Sequence, residues 1–428
     1  MALVYCVCIL MNLEKENKTK YDVIVIGGGP AGMMAAGTAG ARGKRVLLIE
    51  KNKRLGEKLR ITGGGRCNIT NSNPHLSSLL KYYGKAEPFL YSPFDIFGVA
   101  DTFEFFTSRG LPLKIEAENR VFPQTESAPD VERVMEEYCR DGGVEILSET
   151  PVEKIVALAG KVTGVVAGGK TYNAESVILA TGGLSHKETG STGDGFKWLK
   201  DLGHKIAEPT PSIVPIAVKE AWVKNLSGTS LELMKVSFLV DGKRQFSKTG
   251  RILFTHFGLS GPLILNSAKK IGDLLHQGKV IGMIDLYPAQ DFHVLEQEIL
   301  AFFDRNKNKT FKSICKEFLP AGFATTILSL LDSAVTEKRV HSITKEERKA
   351  MVHLLKGLPF TVAGLMGYDR AVVADGGVEI GEVDMKTMRS KKYANLYITG
   401  DLLHVERPSG GFSLQLCWTS GYVAGQNA

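Results

Sequence analysis

Three observations in this 428-residue chain predict an α/β fold built in two pieces around an insert. The chain opens with an apolar strand, a glycine turn, a helix and a second strand that ends in an acid. Near the far end, a short apolar strand ending in Gly-Asp returns to the same sheet. Between residues 207 and 360 the texture changes, first to short β-rich runs punctuated by Pro209, Pro211 and Pro215, then to helical patterns. The expected organisation is an N-terminal extension (1–20), a core domain (21–206 and 361–428), and an inserted domain (207–360) that is β-rich over 207–290 and helical over 291–360.

The opening unit is Tyr21-Asp-Val-Ile-Val-Ile-Gly-Gly-Gly-Pro-Ala-Gly32, followed by Val46-Leu-Leu-Ile-Glu50. Gly27, Gly29 and Gly32 form a G-x-G-x-x-G fingerprint. The first permits a tight turn, the second lets backbone approach a pyrophosphate, and the third lets helix and strand pack closely. A helix beginning at Pro30 and Ala31 aims free N–H groups and its positive dipole end at phosphates. Glu50 stands 21 residues beyond Gly29, where an acid binds the hydroxyls of an adenosine ribose. Together these features predict a Rossmann-like dinucleotide site.

Further elements follow in order. Gly56 to Asn71 carries the triplet Gly63-Gly64-Gly65 beside Arg66, Cys67 and Asn68, which suits a backbone passing close to a flat polar ligand. Lys51 and Lys58 join these as candidate contacts. Pro88 to Gly110 is helical in pattern, its Phe94, Phe97, Phe103, Phe105 and Phe106 reading as core. Asp130 to Arg140 predicts a helix, Val144 to Leu147 a parallel strand, and Val152 to Ala167 a hairpin turning at Ala159-Gly160. Val177-Ile-Leu-Ala-Thr181-Gly182-Gly183 reads as a buried strand returning to the cofactor before the chain leaves for the insert. Ala371 to Ile380 and Asn395 to Thr399 are expected to rejoin the core.

The C-terminal return separates FAD from NAD. Asn395-Leu-Tyr-Ile-Thr-Gly400-Asp401 ends in an acid placed to hold a ribityl chain or pyrophosphate. Gly410-Gly411-Phe412-Ser413-Leu414 opens a helix whose N-terminus stabilises negative charge on a reduced flavin. A nicotinamide enzyme needs neither, so the predicted cofactor is FAD. No second G-x-G-x-x-G follows a strand, so NAD(P)H, if used, meets the flavin transiently.

With Ser191-Thr-Gly-Asp-Gly195 and Leu253-Phe-Thr-His-Phe-Gly-Leu-Ser-Gly-Pro262 added, the chain from Tyr21 onward resembles the bacterial aminoacetone-oxidase-like FAD-binding family, which also contains bile-acid-related reductases. The resemblance implies backbone contacts to adenine at Val152 and oxidation of a small amine or amino-ketone. Departures border the expected flavin site. Gly400-Asp-Leu-Leu-His404 stands where the family has Gly-Glu-Val-Leu-Asp, Glu406-Arg407-Pro408 replaces a small flexible stretch, and Ala374-Asp-Gly-Gly377 replaces a glycine-rich turn.

Composition bounds the rest. Hydrophobic content of 43% with a mean hydropathy near zero describes a globular protein. The net charge of +7 is spread without a compact basic motif, so neither nucleic acid nor membrane is expected as a partner. The six cysteines (6, 8, 67, 139, 315 and 417) form no C-x-x-C pair and no zinc spacing, which excludes a dithiol redox centre and suits a reducing cytoplasm. Cys67 reads either as buried packing or as a reactive thiol. Met1 to Met11 is apolar but too short to span a membrane, and it reads as an upstream extension before a start at Met11.

Catalytic residues are not assigned by sequence. Asp194 fits a helix cap or an active-site acid. His256 fits a proton carrier before a helix over Leu263–Ile271, or a structural turn. His186 and His404 are further proton-donor candidates. Three functions follow: an FAD-dependent oxidase or dehydrogenase of a small amine or amino-ketone, with oxygen as acceptor; an NAD(P)H-dependent reductase of a conjugated C=C bond; and a non-catalytic FAD-binding protein with an RNA or protein partner.

Overall fold

The computed structural model describes residues 20–320 and 322–428. The apolar start at residues 1–11, with Cys6 and Cys8, lies outside them. The described residues fall into two compact units, one ending at Pro211 and resuming over Val372–Ala428, the other Ser212–Ala371.

The first unit is organised by a twisted sheet whose parallel core runs in the spatial order Glu145–Leu147, Val46–Ile49, Lys20–Ile26, Lys170–Leu179, Leu396–Ile398. Val23 to Ile26 and Val46 to Ile49 are buried almost completely, as expected of strands covered on both faces. Each such aliphatic side chain contributes roughly 1.5–3 kcal/mol by leaving water. Register places Ile26 beside Ile49 and Leu179, and Leu179 beside Ile398. The strands therefore end together, and the residues after them converge on one edge.

Helix Pro30–Ala41 is buried all round rather than amphipathic, which its small residues permit. The closing helix Phe412–Asn427 lies against it so tightly that a Cβ on Gly421 would stand 2.4 Å from the Ala31 carbonyl oxygen. The hairpin Val152–Leu158 and Lys161–Ala167 turns at Ala159 and Gly160, both at positive φ, and Lys170–Leu179 continues it as a third strand before entering the core. The helical pattern over 88–110 is two helices, Glu87–Ile96 and Val99–Ser108, separated at Gly98. Leu396–Ile398 joins the core sheet, but Val373–Val378 does not. It pairs with Ile206–Ser212 as a separate ribbon. At that ribbon Gly376 presses on Pro209 and Gly377 on the Leu402 carbonyl, at distances that leave no room for a side chain.

The second unit is a closed six-stranded barrel with helices between its last two strands. Its final strand, Leu358–Leu365, pairs with Val280–Asp285 and Ile216–Val218, so the unit runs past residue 360. The helix expected over Leu263–Ile271 is two short helices, Pro262–Leu265 and Ala268–Leu275, and at the break the Ser267 hydroxyl donates to the Leu263 carbonyl.

Candidate cofactor site

Four parallel strands deliver the candidate site. Ile49 is followed by Glu50, Ile26 by Gly27, Leu179 by Ala180-Thr181, and Ile398 by Thr399-Gly400-Asp401. A cleft runs along these ends. In an open parallel sheet, ligands bind outside the carboxyl ends of the strands. Of the predicted contacts, Gly27, Gly29, Pro30, Ala31, Glu50, Lys51, Lys58, Val152, Thr181, Gly182, Gly400, Asp401, Ser413 and Leu414 line this cleft.

Glu50 is buried, and its two carboxylate oxygens accept from the backbone N–H groups of Gly28 at 2.7 Å and Asn52 at 2.8 Å. A carboxylate has about four acceptor positions, so capacity remains for ribose hydroxyls. Glu50→Ala removes this remaining acceptor capacity together with the two turn bonds. FAD affinity is expected to fall at least tenfold, about 1.4 kcal/mol, by fluorescence titration. An affinity equal to the parent's would reject the ribose role.

The remaining predicted contacts lie off the cleft wall. Gly32 closes helix on turn, its Cβ position standing 1.8 Å from the Gly27 carbonyl oxygen. Gly183 abuts Asp401, and Gly411 abuts the Thr70 carbonyl. Phe412 is buried among Tyr82 and Tyr83. Thr62 reaches the cleft, whereas Gly63, Gly64, Gly65, Arg66, Cys67 and Asn68 do not line it. Arg66 is drawn instead to Glu116 and Glu126 and lies over the Phe122 ring. Cys67 is fully buried, and burial pushes its thiol up to about 12, which leaves it protonated and unreactive.

The cleft also takes in residues of the Ser191–Gly195 motif and others outside the predicted contacts. Thr189 to Thr192 and Asp194 form one wall. Asp194 is not a helix cap: its carboxylate accepts from Thr192 Oγ1 at 2.7 Å and pairs with Lys51 at 2.9 Å. Burial raises its pKa, but Lys51 and Thr192 outweigh this and hold it below the ordinary value. Cys417 also lines the cleft, its thiol pushed up to about 12 by burial. Arg407 donates to Asp401, to Ser413 Oγ at 3.0 Å and to the Val405 carbonyl.

Of the histidines, His186 pairs with Glu188 at 2.8 Å, and His256 is exposed and edge-on to Phe257. His404 lies between Asp375 at 3.7 Å and Glu379 at 3.6 Å. The donor atoms of Asp375, His404 and Glu406 come within 4.8 Å of one another, a grouping that no local motif announces.

Two features fit FAD. A Cβ on Gly29 would meet no atom within 4 Å, so the turn leaves space for a pyrophosphate. The buried Glu50 carboxylate, on the cleft wall, keeps acceptor capacity beyond its two backbone bonds. An acid after the second strand, a glycine turn under a helix N-terminus and another acid after the last parallel strand are the marks of Rossmann-type FAD-dependent oxidoreductases. The chain belongs to one such family, described as HI0933-like protein Rossmann domain, whose profile matches residues 21–427. It is 31% identical over 412 residues to the 3-dehydro-bile acid delta(4,6)-reductase of Clostridium scindens, covering 94% of this chain and 98% of that protein. It is 26% identical over 412 residues to the ribosomal RNA dihydrouridine synthase of Escherichia coli, covering 95% and 98%. The fold is also that of a 3-ketosteroid-delta4-(5alpha)-dehydrogenase from Rhodococcus jostii RHA1, with a TM-score of 0.55 at 16% identity, covering 95% and 96%. No helix among the described residues is long and apolar enough to cross a membrane.

Proposed function

We propose that the protein is an FAD-dependent reductase of a C=C bond conjugated to a carbonyl. The observation that carries this reading is the chemistry shared by its full-length relatives. A 3-dehydro bile acid with 4,6-unsaturation and a uracil base both present such a bond, and both named activities saturate it. The carbonyl polarises the alkene, so the β-carbon takes hydride and the α-carbon takes a proton.

Bound FAD supplies hydride transfer at its N5. Glu50 would hold the adenosine ribose, Val152 the adenine, and Gly27 to Ala31 the pyrophosphate at the helix N-terminus. Lys58, Thr181, Gly182, Gly400, Asp401, Ser413 and Leu414 would hold the ribityl and flavin end, with Thr62 bordering it. His404, flanked by carboxylates, is a candidate proton carrier.

The substrate has a second reading, RNA, favoured by how the charge divides. The inserted unit 212–371 has 22 Lys and Arg against 15 Asp and Glu, whereas the rest of the chain has 31 of each. The whole excess of +7 therefore belongs to the insert, and such an excess attracts a phosphate backbone.

The test is anaerobic. NADH or NADPH should bleach the flavin, and a 3-oxo-4,6-diene steroid acid or a uridine-containing ribosomal RNA fragment should restore its colour faster than air does. Restoration by the RNA alone, lost with rising salt, selects the RNA substrate. Bleaching by small amines but not by nicotinamides, with rapid reoxidation and peroxide release in air, would reject the reductase in favour of the amine or amino-ketone oxidase that the family resemblance suggested.

A further inference from the structure

We propose that Arg407 is a positioning residue that sets the reduction potential of the bound flavin. The inference requires FAD in the cleft but does not depend on which substrate is reduced. The cleft follows the strand order, so Glu50, Gly27, Thr181 and Asp401 succeed one another at strand spacings of about 4.8 Å. With adenosine at Glu50 and pyrophosphate at the glycine turn, Asp401 stands at the flavin end.

Two cations meet that one carboxylate. The Arg407 side chain is only 3% exposed, and its three nitrogens donate to Ser413 Oγ, the Val405 carbonyl and Asp401. Lys58 Nζ lies 3.6 Å from the other Asp401 oxygen and 3.2 Å from Ser185 Oγ. The cluster Lys58–Asp401–Arg407 therefore carries a net charge of +1, with Arg407 buried and Lys58 and Asp401 only partly exposed, so solvent screening is reduced. Reduction of a flavin places negative charge on the pyrimidine side of its ring, and an unbalanced buried cation favours that state. Arg407 acts through Asp401 and Ser413, both on the cleft wall, and fixes them as one rigid group.

The test is a redox titration of the FAD-loaded protein and two variants. Arg407→Gln removes the charge and is expected to weaken binding of reduced FAD at least tenfold relative to oxidised FAD. For a two-electron couple this lowers the midpoint potential by about 30 mV. Arg407→Lys keeps the charge and should retain most of the parent potential, even where it holds less flavin. Equal weakening of both redox states, with an unchanged potential, would overturn the proposal and leave Arg407 a structural brace. Should the glutamine variant not hold FAD, the parent protein decides through its pH dependence in mildly acidic buffer, where free reduced FAD is neutral. One proton per two electrons, about 30 mV per pH unit, is the expected slope, because the reduced ring stays anionic. The two-proton slope, twice as steep, overturns it.

Discussion

Gly29→Val is expected to yield a folded but colourless protein. Gly29 has φ −76° and ψ −176°, extended backbone that valine adopts readily, and it caps the helix Pro30–Ala41 without using a side chain. A Cβ there meets no protein atom within 4 Å. The substitution therefore costs the fold little, within about 0.5 kcal/mol. Its isopropyl group projects instead into the space where a pyrophosphate must approach the N–H groups of the first helical turn. FAD affinity should fall at least a hundredfold, about 2.7 kcal/mol. The neighbouring Gly27 gives the contrast. It has φ +102°, and a Cβ there would stand 2.6 Å from the Ala180 carbonyl oxygen, so Gly27→Val should fail to fold as well as to bind. Flavin content by absorbance and folding by circular dichroism separate the two outcomes. A yellow Gly29→Val protein with the parent's affinity would remove the fingerprint as the cofactor site.

These positions were legible because their signals are local. Two runs of four buried aliphatics end in Gly27 and Glu50, and two further apolar runs end in Thr181-Gly and Thr399-Gly-Asp401, so four strand ends place these residues along one edge. The FAD-binding α/β class follows from the same runs. Long-range pairing was less visible. The barrel strand Leu358–Leu365 looks like any short apolar run, because its partner Val280–Asp285 lies beyond all the intervening helices. Val373–Val378 reads as a core strand until Gly376 and Gly377 are found packed against Pro209 and Leu402. Arg407 and the Asp375–His404–Glu406 group lie on segments that the sequence marked as bordering the flavin, but how they come together was not legible. Each is assembled by how the segment after Asp401 folds back, and no spacing rule encodes that path.

Asp401→Asn should be the most damaging conservative change in the site, and its cost should depend on pH. Burial raises the pKa of Asp401, but the Arg407 and Lys58 charges outweigh this and hold its carboxyl below the ordinary aspartate value. A carboxyl whose folded pKa is depressed contributes stability that is fully present above the unfolded value, about 3.9. That contribution is lost as pH falls through the lower, folded value. Asparagine keeps the shape and one acceptor but leaves the buried Arg407 and the partly exposed Lys58 without their counter-charge. Breaking a buried pair in this way costs about 3 kcal/mol at neutral pH. In acid the parent's own carboxyl becomes protonated and resembles the amide, so the gap between parent and variant should close as pH drops below about 4. Urea unfolding of the FAD-loaded proteins, followed at flavin release across that range, measures the gap directly. A stability difference that stays constant from neutral pH into acid would mean that Asp401 acts through shape and not charge, and the ion cluster would lose its place in holding the flavin end of the cleft.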